Sequence, residues 1–308
     1  MAAGGSNKAV VAALVGNSAI AVAKFIGFFI TRSSSMLAEA IHSVADSGNQ
    51  ALLLWGGKAA QKKADDEHQF GYGRERYFWA FVVALVLFLV GSGFALFEGI
   101  SKIRHPHEIE NPTVAYVILG FAIVAEFFAF RTAIVAARPL KGDDTWWEFI
   151  KNTRVPELAV VILEDFGAMV GLVIAMASVW ISVTFDAPIW DGIGTLSIGI
   201  LLFCIACILI VEMRSLLLGE GATPKEMVRL RSAIASTPNV DKLIHLRTQH
   251  LGPEELLVGA KVEFAAGLTT AQLAAAVNEI EAAVRKVVPG AHPIYIEPDL
   301  HKEMSEEA

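Results

Sequence analysis

Charged residues are scarce in this chain, and their scarcity points to its broad class. Of the 308 residues, 19% are Asp, Glu, Lys or Arg, whereas 54% are hydrophobic and the mean hydropathy is +0.52. Soluble domains average about 25% charged residues. The formal net charge is −7, so no positive excess is available to attract the phosphates of a nucleic acid. These values indicate a membrane protein and argue against a nucleic-acid partner.

Reactive cysteines and hydrolase signatures are also lacking. The two cysteines, Cys204 and Cys207, lie in the apolar stretch 201–211, where no polar group would stabilise a thiolate. A redox or zinc CxxC site is therefore disfavoured. The apolar segments contain no HExxH run. No cleavable signal peptide is expected, because few basic residues precede the first apolar run and that run leads into further ones.

Long apolar runs are what the sequence does contain. Six of them reach the roughly 20 residues that cross a bilayer: 9–30, 35–57, 77–100, 112–136, 156–184 and 189–213. The connections after the second and fourth runs are rich in Lys and Arg, whereas those after the first, third and fifth hold only Arg32, Lys102 and Arg104. By the positive-inside rule, both termini face the cytoplasm.

The pattern changes to that of a soluble domain after residue 218. The expected elements are a helix from Thr223, strands at 240–250 and 256–264, a helix at 269–287 and a strand at 293–297. The order α-β-β-α-β in a short stretch fits a small two-layer α+β domain. We therefore expect a transmembrane domain over 1–218 and a cytoplasmic domain over 219–308.

A row of polar residues interrupts the second apolar run. The stretch Ala38–Gln50, AEAIHSVADSGNQ, places Glu39, His42, Asp46, Asn49 and Gln50 on one face of a helix. Ionisable groups at membrane depth cost about 2.5–3.5 kcal/mol each on insertion scales. An imidazole and a carboxylate four residues apart can present a nitrogen and an oxygen to one ion. This row predicts a divalent-cation site in a transporter.

The fifth apolar run supplies the partner carboxylates, Glu164 and Asp165. Adjacent side chains point about 100° apart on a helix, so both are not expected to face one ion equally. We predict Asp165 as a primary ligand and Glu164 as a secondary ligand or proton acceptor. A structural ion pair or hydrogen bond between helices is the alternative for either residue alone. Acidic groups and a histidine on two runs favour the metal site.

With these residues, the sequence resembles the cation diffusion facilitators over roughly residues 8–299. The polar row, the six apolar runs and the α-β-β-α-β tail are similar to that family. The runs HQFGYGRERYFWAF, VILEDFGAMVG and IYIEPD are similar to the branch that includes zinc transporter 9. The resemblance implies six transmembrane helices with a ferredoxin-like cytoplasmic domain. It also implies a homodimer that exports zinc from the cytoplasm in exchange for protons.

The resemblance also implies a ligand set. His42 and Asp46 match the family's metal-binding pair on the second span, and Asp165 matches the aspartate of its partner pair on the fifth. The family's histidine position is Val161 here, and valine cannot bind a metal. Glu164, Asn49, a water or a backbone group is left to complete the site.

The expected substrate is Zn²⁺, with Cd²⁺, Fe²⁺, Co²⁺ or Mn²⁺ as further possibilities, and no organic cofactor is expected. Proton coupling is assigned to His42, Asp46 and Glu164. Neutral imidazole binds a metal and protonated imidazole does not, so metal and protons compete for the site.

Two peripheral sites are weaker predictions. Asp65, Asp66 and His68, after the second run, resemble a site that attracts cations, although a solvated run of charges is the preferred interpretation. In the tail, the candidate ligands are His245, His250, His292 and Glu297. Ile244 and Tyr295 occupy positions that bind paired zinc ions in relatives. We therefore expect a weak or absent metal cluster there and a domain that serves dimerisation and regulation.

Two alternatives and two residues stay open. A membrane-embedded metalloenzyme would use the same ligands to activate water, and a membrane-anchored metal sensor would bind without transport. Lys24 and Glu126 lie at membrane depth, where each is a structural partner, a member of a proton path or a gate. A bacterial inner membrane is the expected location.

Overall fold

The structure, a computed structural model, describes residues 2–31, 34–109 and 111–300. Within these helices, the side chains of residues 2–9, 12–13, 27–28, 30–31, 34–42 and 88 lie outside the description. The side chains of Glu39 and His42 are among them.

The chain forms two units. The first consists of Met1–Lys62 and Glu75–Arg214, and the second of Lys63–Arg74 and Ser215–Ala308. The division expected at residue 218 did not anticipate that the loop after the second helix would group with the C-terminal residues.

The first unit is helical. Its elements are α1 (Ala2–Thr31), α2 (Ser34–Ala59), α3 (Glu75–Val86), a π-helical turn (Leu87–Ser92), α4 (Gly93–Arg104), α5 (Pro112–Lys141), α6 (Trp146–Asn152), α7 (Pro156–Thr184) and α8 (Ile189–Leu218). Pro112 and Pro156 stand at the first position of α5 and α7, where a missing N–H costs no hydrogen bond. Thr145 and Glu148 form a capping box that starts the short helix α6.

Four helical runs among the described residues are long and apolar enough to cross a membrane: Glu75–Arg104, Pro112–Lys141, Pro156–Thr184 and Ile189–Leu218. Helix α1 contributes a shorter apolar segment, Leu14–Ile26. Helix α2 contains the buried polar residues Ser43, Asp46, Asn49 and Gln50, which lower its hydropathy. The number of six spans therefore stays a prediction.

Helix α7 is the most buried of these helices. Its residues from Leu158 to Leu163 are each at most 8% exposed. It packs against α5 and α1, where Ile20, Ala122 and Leu172 form a small apolar core. This packing carries the following two residues, Glu164 and Asp165, into the interior of the unit.

Glycines allow α4 and α8 to approach closely. A Cβ at Gly99 would lie 2.6 Å from the backbone nitrogen of Leu196, and a Cβ at Gly199 would lie 2.8 Å from that of Leu96. Both distances are shorter than any real Cβ contact. The two helices therefore touch backbone to backbone at these positions.

The second unit is a small α+β domain, as expected. It contains α9 (Pro224–Ala235), β1 (Val240–Gly252), β2 (Glu255–Phe264), α10 (Thr270–Val287) and β3 (Ala291–Pro298). Strand β2 lies centrally, antiparallel to β1 and parallel to β3. Leu230, Ile234, Val258, Ile280 and Val284 are fully buried in its core. The order α-β-β-α-β predicted from the alternation of apolar residues is confirmed.

The loop Lys63–Arg74 packs on the β1–β2 turn of this unit. A Cβ at Gly73 would lie 2.7 Å from the carbonyl oxygen of Leu251, and a Cβ at Gly252 would lie 3.0 Å from the Cα of Gly73. The contact is therefore made between two backbones, and a side chain at either position would separate them.

Candidate cation site

Asp165 lies at the centre of the candidate site. Its side chain is 1% exposed, and its Oδ2 atom has no hydrogen-bond partner among the described residues. Burying a carboxylate oxygen without a donor carries a free-energy penalty. The side chain therefore presents an acceptor suited to a positively charged ligand.

Helix α2 contributes a buried polar face to the same unit. Asp46 is 8% exposed, Asn49 2% and Gln50 0%. Next to this face, the ammonium group of Lys24 on α1 donates a 2.9 Å hydrogen bond to the Ser43 hydroxyl. The spacing of these residues along α2 predicted their common face, and their burial agrees with it.

Two amides of α2 bind the carboxylate of Glu164 on α7. Asn49 Nδ2 donates to Oε1 at 2.9 Å, and Gln50 Nε2 donates to Oε2 at 2.9 Å. Because the carboxylate accepts from both, each amide turns its oxygen away. Asn49 Oδ1 and Gln50 Oε1 are buried and have no hydrogen-bond partner in the described part of the chain. Asn49 thus has an available oxygen three residues from Asp46.

A third helix adds a carboxylate near Asp165. Glu126 on α5 is 6% exposed, and it interacts electrostatically with Asp165, as do Glu164 and Asp46. The sequence marked Glu126 as a polar residue at membrane depth without deciding its role. Gln50, which contacts Glu164, was assigned no role beyond its place on the polar face.

The structure does not complete a metal centre from these residues. Among the side chains that it describes, no three His, Cys, Asp or Glu residues lie close enough to hold one ion. The predicted ligand His42 lies outside the described side chains. Val161 is fully buried one turn before Asp165, so an apolar side chain fills the position of the family's histidine.

A buried ion pair joins the start of α7 to α3. Arg76 binds Glu157 through two parallel hydrogen bonds, Nε to Oε1 and Nη2 to Oε2, the latter at 2.8 Å. The side chains are 11% and 4% exposed. Such forked pairing fixes both distance and orientation. The two residues are 81 positions apart, so no local pattern in the sequence pairs them.

The predicted peripheral site after α2 is a folded loop. Asp65 Oδ1 accepts from the backbone N–H of His68 at 2.8 Å, and Oδ2 accepts from the Tyr72 hydroxyl at 2.7 Å. The rings of His68 and Tyr72 lie 4.4 Å apart. Asp66 is exposed. Asp65 thus has a structural role in the loop, and attraction of cations stays a prediction.

The four candidate ligands of the sheet domain are not brought together. His245, His292 and Glu297 are exposed, whereas His250 is buried. Within residues 215–300, no three of the potential ligands form a group that could hold a metal. Glu297 instead pairs with Lys261 at 3.3 Å, and Asp299 binds the same ammonium at 2.7 Å. The hydrogen bond to Asp299, reinforced by Glu297, raises the pKa of Lys261 above its ordinary value.

Comparison with known proteins identifies the family. The cation efflux transmembrane domain matches residues 10–218. The chain belongs to the cation efflux family. This membership confirms the family resemblance inferred from the sequence and makes the chain a membrane protein.

Among curated relatives of the cation efflux family, the mitochondrial proton-coupled zinc antiporter SLC30A9 of Mus musculus is 30% identical over 263 residues. These are 84% of this chain and 46% of that protein. Metal tolerance protein C4 of Arabidopsis thaliana is 30% identical over 261 residues, covering 84% and 57%. The cation-efflux pump FieF of Escherichia fergusonii is 24% identical over 293 residues, covering 94% and 91%. The chain spans about half the length of the mouse protein.

Proposed function

We propose that this cation efflux protein exports divalent cations, foremost zinc, from the cytoplasm in exchange for protons. The observation that carries the proposal is the buried oxygen of Asp165, which lacks a donor and lies near carboxylates from three helices. Ionisable groups inside a membrane are costly and mark the paths of ions and protons, so this group of carboxylates indicates that a cation binds there. Relatives named as a proton-coupled zinc antiporter and as a cation-efflux pump support the same function.

The proposed architecture has six transmembrane spans, with α1 and α2 joining the four apolar runs. The excess of Lys and Arg after the second and fourth spans supports a cytoplasmic location of both termini, and we propose a bacterial inner membrane as the location. Residues 1–218 form the transport domain. Residues 219–308 form the domain that dimerises and regulates.

The proposed cation ligands are His42, Asp46 and Asp165. Imidazole and carboxylate ligands suit zinc, and a site with three protein ligands keeps a position from which the ion can leave. On the cytoplasmic side, zinc displaces protons from His42 and Asp46. On the far side, protons occupy these groups and release the zinc. Export thus follows from competition for one set of atoms.

Proteoliposomes test this proposal. Wild-type protein under an imposed pH gradient should move zinc, and collapse of the gradient with an ionophore should stop the movement. Asp46→Asn and Asp165→Asn keep side-chain size and remove the carboxylate, so each should lower the flux by about a hundredfold or more. Asp191→Asn, which alters a pair with Lys102 away from the site, is the control. Zinc flux that ignores the gradient or survives both site variants would contradict the proposal. Zinc binding without flux would favour the sensor.

A further inference from the structure

The contact between α2 and α7 through Asn49, Gln50 and Glu164, here called the amide clamp, suggests a role that differs from ligation. We propose that Glu164 is a positioning residue, which the amides of Asn49 and Gln50 hold so that α2 and α7 keep the register of the cation site. The proposal rests on the proposed function, because it assigns a task at that same site.

The geometry of the amide clamp restricts how α2 and α7 can move against each other. Each carboxylate oxygen accepts one N–H, at 2.9 Å in both cases, from two consecutive residues of α2. All three side chains are at most 5% exposed, so water does not compete for these bonds. Hydrogen bonds to an ionised group in a dry interior are among the stronger ones. Because two amides of α2 donate to the two oxygens of one carboxylate, the pair of bonds resists both sliding and rotation of α2 against α7.

The amide clamp lies next to the proposed ligands in the chain. Asp165 follows Glu164 directly, and Asp46 precedes Asn49 by about one helical turn. A shift of α2 along α7 therefore changes the separation of Asp46 and Asp165 by a similar distance. Because misplacement by about 1 Å can cost a hundredfold in rate, a fixed register has functional value.

The same bonds argue against Glu164 as a ligand and as a proton acceptor, the two roles predicted for it from the sequence. Both of its oxygens already bind N–H groups, so using either one for a cation would weaken the attachment of α2. Asp165 Oδ2 and Asn49 Oδ1, in contrast, have no hydrogen-bond partner among the described residues. The atoms available to a cation are on the residues beside Glu164, and Glu164 itself is engaged.

Isosteric exchange of amide and carboxylate separates the two roles. In Glu164→Gln, the Gln50 amide can turn over and accept, so both bonds survive without the charge. In Gln50→Glu, two carboxylates face each other and the amide clamp opens. In the double variant, the amide at 164 donates to the carboxylate at 50 and its oxygen still accepts from Asn49, so both bonds return and only the one to residue 50 is reversed.

Zinc flux in proteoliposomes and Co²⁺ absorption spectra of the detergent-solubilised protein are the measurements. We expect Glu164→Gln to keep zinc flux within about threefold and Gln50→Glu to lose about tenfold or more, with a raised KM. The double variant should recover to within about threefold of wild type, with an unchanged Co²⁺ spectrum. Should Gln50→Glu fail to fold, recovery of folded protein in the double variant supports the amide clamp equally.

Glu164→Gln would overturn the proposal if it lost zinc flux and the double variant did not restore it. That result would show that transport requires a carboxylate at position 164 itself. Normal flux in Gln50→Glu would overturn the proposal as well. Absence of zinc–proton exchange in the wild type is a different failure, that of the proposed function. The Co²⁺ spectra of the three variants then decide about the amide clamp alone.

Discussion

At the scale of single residues, burial separates two ion pairs that look alike in sequence. Arg76 and Glu157 are 11% and 4% exposed, whereas Lys102 and Asp191 are 19% and 23% exposed. Removing one partner of a buried pair leaves an uncompensated charge and costs about 3–5 kcal/mol. Solvent-exposed pairs contribute about 1 kcal/mol or less, and the half-buried pair of Lys102 and Asp191 lies between these limits.

We therefore expect Glu157→Gln to lower the midpoint of thermal unfolding in detergent by several degrees more than Asp191→Asn does. Both substitutions keep the shape of the side chain, so the comparison isolates the charge. Equal shifts in the two variants would show that the pair of Arg76 and Glu157 contributes no more to stability than the more exposed pair of Lys102 and Asp191.

How far the site could be predicted also depends on the residue. The common face of Asp46, Asn49 and Gln50 follows from helical spacing, and the burial of Asp165 follows from its apolar flanks. The bonds from Asn49 and Gln50 to Glu164 join residues more than 100 positions apart. No local pattern encodes them, because the register between two helices is set by packing along their whole length. The sequence shows that Glu126 is a polar residue at membrane depth. Because the residues around it on α5 are apolar on all sides, the sequence does not show which neighbouring helix its side chain faces.

At the scale of elements, glycines determine how closely helices approach. Gly99→Ala would place a methyl group 2.6 Å from the backbone nitrogen of Leu196, and backbone cannot move aside as a side chain does. A methyl group at Gly120 on α5 would have no atom within 4 Å, so Gly120→Ala meets open space. Overpacking typically costs about 1–3 kcal/mol, whereas Gly→Ala in an unstrained helix stabilises by about 0.4–1 kcal/mol.

The two substitutions should therefore have opposite effects on thermal stability in detergent: Gly99→Ala lowers the unfolding midpoint, and Gly120→Ala raises it slightly or leaves it unchanged. A Gly99→Ala protein as stable as wild type would mean that α4 and α8 are separated by more than the structure shows.

Elements with a long apolar run or a clear alternation were predictable, and elements without either signal were not. The apolar runs marked α5, α7 and α8 because each holds many consecutive apolar residues, and alternation marked the strands of the sheet domain. The seven-residue helix α6 has too few turns to show a period. The π-helical turn at Leu87–Ser92 lies inside the apolar run predicted at 77–100, and apolar content does not distinguish a π-helical turn from an α-helix.

At the scale of the whole molecule, the loop Lys63–Arg74 follows a helix of the first unit in the chain but belongs to the second unit. It begins four residues after the end of α2, the helix of Asp46, and it groups with the sheet domain. The change in composition at residue 218 predicts a domain boundary there. The packing of a loop onto residues far along the chain leaves no mark in the composition of the sequence. The membership of this loop in the second unit could therefore not be predicted.

The Gly73 contact supplies a test of that membership. A Cβ at Gly73 would lie 2.7 Å from the carbonyl oxygen of Leu251, whereas a Cβ at Gly259 in the same sheet would meet its nearest atom at an ordinary 3.9 Å. Gly73→Ala should thus detach the loop from the β1–β2 turn, and Gly259→Ala should not.

Lys62 and Lys63 are exposed trypsin sites at the start of the loop. If the substitution weakens the attachment by about 1.4 kcal/mol, the open population and the cleavage rate rise about tenfold. Limited proteolysis of the full chain in detergent, followed by mass spectrometry of the fragments, measures that rate. Equal cleavage of Gly73→Ala, Gly259→Ala and wild type would show that the loop is not held by the sheet domain and that the second unit begins at Ser215.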